Sequence, residues 1–155
     1  MPLRQIMADL LPELEEKAKL REEAFSSSRR VTVLSKRAVM AIHRRDLEDA
    51  SSKLEEAGRI LRDLEGRLRA HPDLRREAAN LAYQEYAEAR VFEAISSGMG
   101  FPSPQGLGIP SVPYVLGLAD AVGEFRRRAV EALARGELDE ADASLHIMEL
   151  SLIHI

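Results

Sequence analysis

The sequence predicts an all-α protein, an antiparallel bundle of about six helices. Three observations lead there. Strong helix formers dominate, with Ala, Leu, Glu and Arg frequent and only 9 Gly and 7 Pro in 155 residues. Apolar side chains recur at spacings of three and four over long stretches, which is the period of a helix face and not of a strand. Gly and Pro are densest in one stretch, from Gly98 to Pro113, and elsewhere stand singly. With 45% hydrophobic residues the chain can bury a core as one domain, expected over residues 1–149.

Composition also narrows the chemistry. Cysteine is absent, so disulfides and thiolate zinc sites are excluded. No run approaches the roughly 20 apolar residues of a membrane span, and Met1–Leu11 lacks the basic start and apolar centre of a signal peptide. The expectation is a soluble, cytoplasmic protein without a membrane partner. A net charge of -4 argues against general coating of nucleic acid. Local sign matters more than the total. Arg29–Arg45 holds Arg29, Arg30, Lys36, Arg37, Arg44 and Arg45 and no acid, whereas Glu13–Glu23 leans acidic.

Taken in order, Met1–Leu11 reads as a short helix, with Pro12 opening the next, where its missing N–H costs nothing. From Glu13 to about Arg45 the stripe runs through Leu14, Ala18, Arg21 and Phe25, then Val31, Leu34, Ala38, Ala41 and Ile42. Ser26–Ser28 calls for either weak continuity or a bend. Arg30, Arg37 and Arg44 recur every seven residues as a basic ridge, with Lys36 beside it. Asp46 can cap a helix to about Ala70, whose seam is Leu47, Ala50, Leu54, Ala57, Leu61, Leu64 and Leu68. His71–Asp73 make a turn, and a further helix runs to about Ser97. Gly98–Val112 reads as irregular. Pro113 then opens a helix over Tyr114–Arg135 with a seam of Val115, Leu118, Val122, Phe125 and Ala129. Gly136 stops it, and Asp139 can cap a last helix through Leu145. The end, LSLIHI from Leu150 to Ile155, matches the in-frame translation of a transposon-end adaptor used in sequencing libraries. The natural chain is therefore expected to continue differently after Glu149, leaving apolar surface at Leu138, Leu145 and Ile147 without its cover.

Four acids stand out. Continuing the heptad through Leu81, Glu85, Glu88, Phe92 and Ile95 places two glutamates where apolar side chains are expected. Like charges one turn apart oppose each other, so a cation explains the pair better than packing does. Asp120 stands alone in the apolar and glycine run Val115–Gly123, and a buried charge must be paired or bound to a cation. Glu124 follows one turn later on the same face. The plain alternative is a solvated face in which Glu124 pairs with Arg128.

Three segments carry a family resemblance: RRVTVLSKRAVMAIHR (Arg29–Arg44), YQEYAEARVF (Tyr83–Phe92) and PSVPYVLGLADAVGEFRRRAVEALARGELDEA (Pro110–Ala141). Together they resemble the translin family, and its Trax branch more than translin itself. The resemblance implies an all-α fold of about seven helices that assembles into hollow oligomers binding single-stranded RNA and DNA. For the Trax branch it implies a magnesium-dependent endoribonuclease acting through acids. On this resemblance Glu85 and Glu88 match the two glutamates of the motif, Asp120 its aspartate, and Glu124 a supporting acid. The sequence departs from the family in its short Gly/Pro segment and in lacking the last helix.

The expected site follows. Glu85, Glu88 and Asp120 are the candidate metal ligands, with Glu124 completing the catalytic set by orienting water or by holding a second ion. Hard oxygen donors without Cys or His favour Mg²⁺, or Mn²⁺, over zinc. A di-iron site would need Glu-x-x-His pairs, which are missing. Arg30, Lys36, Arg37, Arg44 and Arg127 are the candidate nucleic-acid contacts. Tyr83 and Tyr86 are read as core more than as base-stacking platforms, and the histidines are given no role. The expected partners are single-stranded RNA, single-stranded DNA and, in the full-length form, further copies of the chain. Two alternatives stay open: a non-catalytic translin-like binding oligomer, and an all-α nucleotide pyrophosphohydrolase, against which D-x-x-x-E in place of E-x-x-D counts.

Overall fold

The computed structural model describes residues 2–155, so Met1 lies outside the described residues. Its elements are α1 (Leu3–His43), α2 (Leu47–Leu68), α3 (Pro72–Ser96), α4 (Pro104–Leu107), α5 (Ser111–Arg135) and α6 (Leu138–His154), and no strand occurs among the described residues. The expected all-α bundle is found. The helices are divided differently from the expectation at both ends.

The expected break before Pro12 does not occur, and α1 carries Pro12 in its interior. Proline removes the bond to the carbonyl of Ala8. Residues 2–19 are exposed throughout, so water can satisfy that carbonyl, and helix formers on both sides maintain the helix. The same exposure corrects the first half of the apolar stripe, with Leu14 54% exposed. The second half, Val31, Ala38, Ala41 and Ile42, is fully buried. The helix also runs straight through the serines, and Ser28 is buried against the core.

The seam of α2 is as expected, from Ala50 to Leu68. Asp46 caps it, its Oδ1 accepting from the Asp49 amide at 3.0 Å. Short turns make α2 antiparallel to both α1 and α3. Contacts between α1 and α3 run the other way: Arg21 meets Glu77, Lys36 meets Glu85, and His43 meets Phe92. Contacts between α3 and α5 ascend likewise, from Gln84–Asp120 to Phe92–Phe125 and Ser96–Arg128. Thus α1, α3 and α5 point in one direction. The connection over residues 97–110 is long enough to bring the chain back to the start of α3.

That connection is not wholly irregular. Ser103 accepts from the Gly106 amide at 3.0 Å and caps the single turn of α4, with Pro104 beginning it and left-handed Gly108 (φ 66°) closing it. The following helix starts three residues before the expected Tyr114.

The seam read for α5 is also corrected. Its buried stripe is Pro113, Gly117, Ala121, Phe125 and Ala132, whereas Val115 is 47% exposed. Small residues let α5 lie close on α3, and the larger apolar side chains are left at the rim. Gly136 ends α5 in the left-handed region (φ 75°) as expected. The next helix starts at Leu138, before Asp139, has no side-chain cap, and continues to His154. Leu138 and Leu145 are exposed, and Ile147 packs partly on the core.

Candidate acidic cleft

Both α1 and α5 pack on α3, but they make little backbone contact with each other. A cleft of about 500 Å³ lies between them, lined by Lys36, Val39, Met40, Glu85, Glu88, Asp120, Glu124 and Arg127. All four acids selected from the sequence meet there. Helix α3 supplies Glu85 and Glu88 one turn apart, α5 supplies Asp120 and Glu124 one turn apart, and the shared helix direction aligns the two pairs. The close approach of α5 at Gly117 brings them together.

Their environments differ. Asp120 is exposed, contrary to the expectation of burial: the apolar run around it is two-sided in sequence but packs on one side only. It accepts a hydrogen bond from Gln84 Nε2 at 2.6 Å. Glu85 is mostly buried and lies 3.4 Å from Lys36 Nζ. Glu124 does not pair with Arg128. Its Oε2 bonds His43 Nε2 at 2.6 Å, while Arg128 bonds Glu140 at 3.1 Å and Ser96 at 2.6 Å and lies over the Phe92 ring.

Glu88 is half-buried, and among the described residues no cation or donor pairs with it. Burial, followed by the charges of Glu85, Glu124 and Asp120, pushes its carboxyl up to about 7, against a smaller opposing pull from Lys36. Glu93, one turn further along α3, is buried more deeply but accepts from Arg90 Nη1 at 2.8 Å. The contrast isolates Glu88 as the acid whose charge the fold leaves uncompensated. No group of three or more acids or histidines among the described residues lies close enough together, as the side chains stand, to hold a metal ion. The donors are nonetheless hard oxygens with excess negative charge, a set suited to a hydrated Mg²⁺ or Mn²⁺.

The basic residues separate into two groups. Arg30 pairs with Glu56, and Arg44 lies 3.7 Å from Asp49, so two of the three ridge positions hold α1 to α2. Arg37 has no ion pair among the described residues. Lys36 and Arg127 face the cleft. Arg127 also donates from Nε to Glu131 at 2.9 Å. Tyr83 and Tyr86 are buried, with the Tyr83 hydroxyl donating to Glu65 at 2.5 Å; neither presents a stacking face.

One residue at the cleft escapes sequence reading. The His43 side chain is only 5% exposed, bonded to Glu124 and tilted against Phe92 with ring centres 4.9 Å apart. Its partner on α5 is 81 positions away. No local pattern reports such a pairing.

No family model matches the chain. An uncharacterised protein of Methanocaldococcus jannaschii is 31% identical over 142 residues, which are 90% of this chain and 63% of that protein. This chain therefore spans less than two thirds of that relative's length. Among solved structures, AfC3PO in complex with duplex RNA is 30% identical with a TM-score of 0.86, over 94% of this chain and 75% of that one. AfC3PO itself gives the same values. Apo-NeC3PO has a TM-score of 0.87 at 24% identity over 99% and 82% of the two chains, a likeness of fold. No helix of the described residues is long and apolar enough to cross a membrane.

Proposed function

The chain belongs to the translin family, and from that premise we propose that it binds single-stranded RNA and cleaves it in the manner of the Trax branch, using a divalent ion in the cleft between α1 and α5. The observation that carries this reading is Glu88, a half-buried acid with no cation of its own, surrounded by three other acids on parallel helices. Such a cluster is relieved either by a proton on Glu88 or by a cation among the four acids, and perturbed acids of this kind gather at functional sites. The complex of AfC3PO with duplex RNA supports RNA as the class of ligand.

In this reading Glu85, Glu88 and Asp120 hold the ion, Mg²⁺ or Mn²⁺, and Glu124 orients the attacking water. When bound, the ion supplies Lewis-acid polarisation of the phosphodiester and offsets the charge that builds on it. Lys36 and Arg127 bind the flanking phosphates, each from one wall of the cleft. Arg37 is an outer contact, whereas Arg30 and Arg44 act mainly within the fold. Glu88 must lose its proton before it can serve as a ligand, so the site charges fully only above about pH 7.

Assembly into a homo-oligomer is part of the proposal. Val112, Val115 and Leu116 on the outer face of α5 are 69%, 47% and 48% exposed, a contiguous apolar area suited to another copy. Single-stranded DNA is a second expected ligand. The deciding assay is incubation of labelled single-stranded RNA with Mg²⁺, with EDTA as the control. Cleavage that EDTA stops supports the proposal, binding without cleavage favours the translin-like alternative, and pyrophosphate release from free nucleoside triphosphates instead of RNA cleavage favours the pyrophosphohydrolase.

A further inference from the structure

His43 reaches the cleft's catalytic wall at Glu124. With Glu124 Oε2 as the acceptor of the 2.6 Å bond, the pairing assigns the hydrogen to His43 Nε2. On the other side of the ring, Nδ1 lies 3.7 Å from Glu131 Oε2, too far for a hydrogen bond. Glu131 Oε1 accepts from Arg127 Nε at 2.9 Å.

The ring has little freedom. It is tilted at 46° against Phe92, which meets Phe125 edge-on at 5.0 Å and carries the Arg128 guanidinium 5.4 Å above it. Glu124, by contrast, has a long side chain that is 23% exposed, and an unanchored glutamate loses rotamer freedom when it is fixed. A rigid donor that fixes it beforehand spares that cost at the moment of reaction.

We propose that His43 is a positioning residue, which holds the Glu124 carboxylate at the cleft. This rests on the cleft being the site of RNA cleavage. The role is distinct from phosphate or ion binding, because His43 is not among the residues lining the cleft.

Two substitutions at His43 separate positioning from packing. In His43→Gln the side-chain amide can place its N–H near the Nε2 position, whereas His43→Phe fills the space without a donor. With wild type active on single-stranded RNA and Mg²⁺, His43→Phe should lower kcat about 10- to 100-fold, the usual range for such supporting partners, with KM within about twofold. His43→Gln should recover most of the loss. His43→Leu, smaller and likewise without a donor, should give a loss in the same direction and serves where His43→Phe folds poorly. Nitrogen NMR of the labelled protein without metal or RNA should show His43 protonated at Nε2, with a shift on Glu124→Gln. Wild-type kcat in both His43→Phe and His43→Leu, or equal loss in His43→Phe and His43→Gln, overturns the inference while leaving the cleavage site intact. A wild type that fails to cleave removes the functional reading first and the inference with it.

Discussion

Gly117 of α5 abuts the backbone of Glu88 in α3: a Cβ added to this glycine would stand 2.9 Å from the Glu88 amide nitrogen. The same Cβ would also meet the Gln84 carbonyl oxygen and the Ala87 methyl. Backbone on both sides leaves no flexible side chain to yield. The closeness sets the cleft, because Asp120 follows Gly117 by three residues and is thereby held at Gln84, next to Glu85.

Gly117→Ala should therefore destabilise the fold. Helix propensity alone favours Ala by roughly 1 kcal/mol, but overpacking against backbone costs about 1–3 kcal/mol and forces α5 away from α3. The expected outcome is a lower melting temperature together with weaker cation binding. Gly123, where an added Cβ meets nothing within 4 Å, is the control on the same helix. Gly123→Ala should raise the melting temperature slightly, through propensity alone.

Stability should depend on pH through Glu88. Its carboxyl is raised from 4.5 to about 7 in the folded state, so the native protein binds a proton more tightly than the unfolded chain does. The stabilisation that goes with that proton is complete below the unfolded value of 4.5. It is lost as pH rises through about 7. In metal-free buffer, Glu88→Gln should unfold at nearly the wild-type temperature in acid and at a higher temperature above pH 7. A constant difference across this range would assign the effect to something other than the Glu88 proton.

Salt dependence distinguishes the two groups of basic residues. Replacing Lys36 and Arg127 together by Gln should weaken single-stranded RNA binding and lower the slope of log affinity against log salt by about 0.7 per lost phosphate contact. Replacing Arg30 and Arg44, which pair with Glu56 and Asp49, should leave that slope near wild type and instead loosen α1 from α2. An equal flattening in both variants would return the ridge to the binding surface.

Much of this arrangement is legible in the residues themselves. The α2 seam is leucine-rich and strictly periodic, so its face and its Asp46 cap follow from the sequence. The α5 face does not, because its packed stripe is built from Pro113, Gly117 and Ala121 while larger Val115 lies outside. A hydrophobicity pattern follows side-chain size, whereas this contact is selected by smallness. The same error made Asp120 look buried. The acids of the cleft were visible as seam violations and through the family motif, although Leu81, used to set that seam, is 61% exposed. His43 was invisible because every partner that gives it a role, Glu124, Glu131 and Phe92, comes from a distant helix.

The central claim is that the acids of the cleft hold a cation that cleaves RNA, and Glu88→Gln tests it most directly. The substitution keeps shape while removing a ligand charge and some repulsion of phosphate. With wild type cleaving single-stranded RNA in Mg²⁺ and stopping in EDTA, Glu88→Gln should lose cleavage and bind RNA as tightly or more tightly, and Asp120→Asn should behave likewise. Cleavage by both variants at the wild-type rate in metal-stripped buffer would contradict the account.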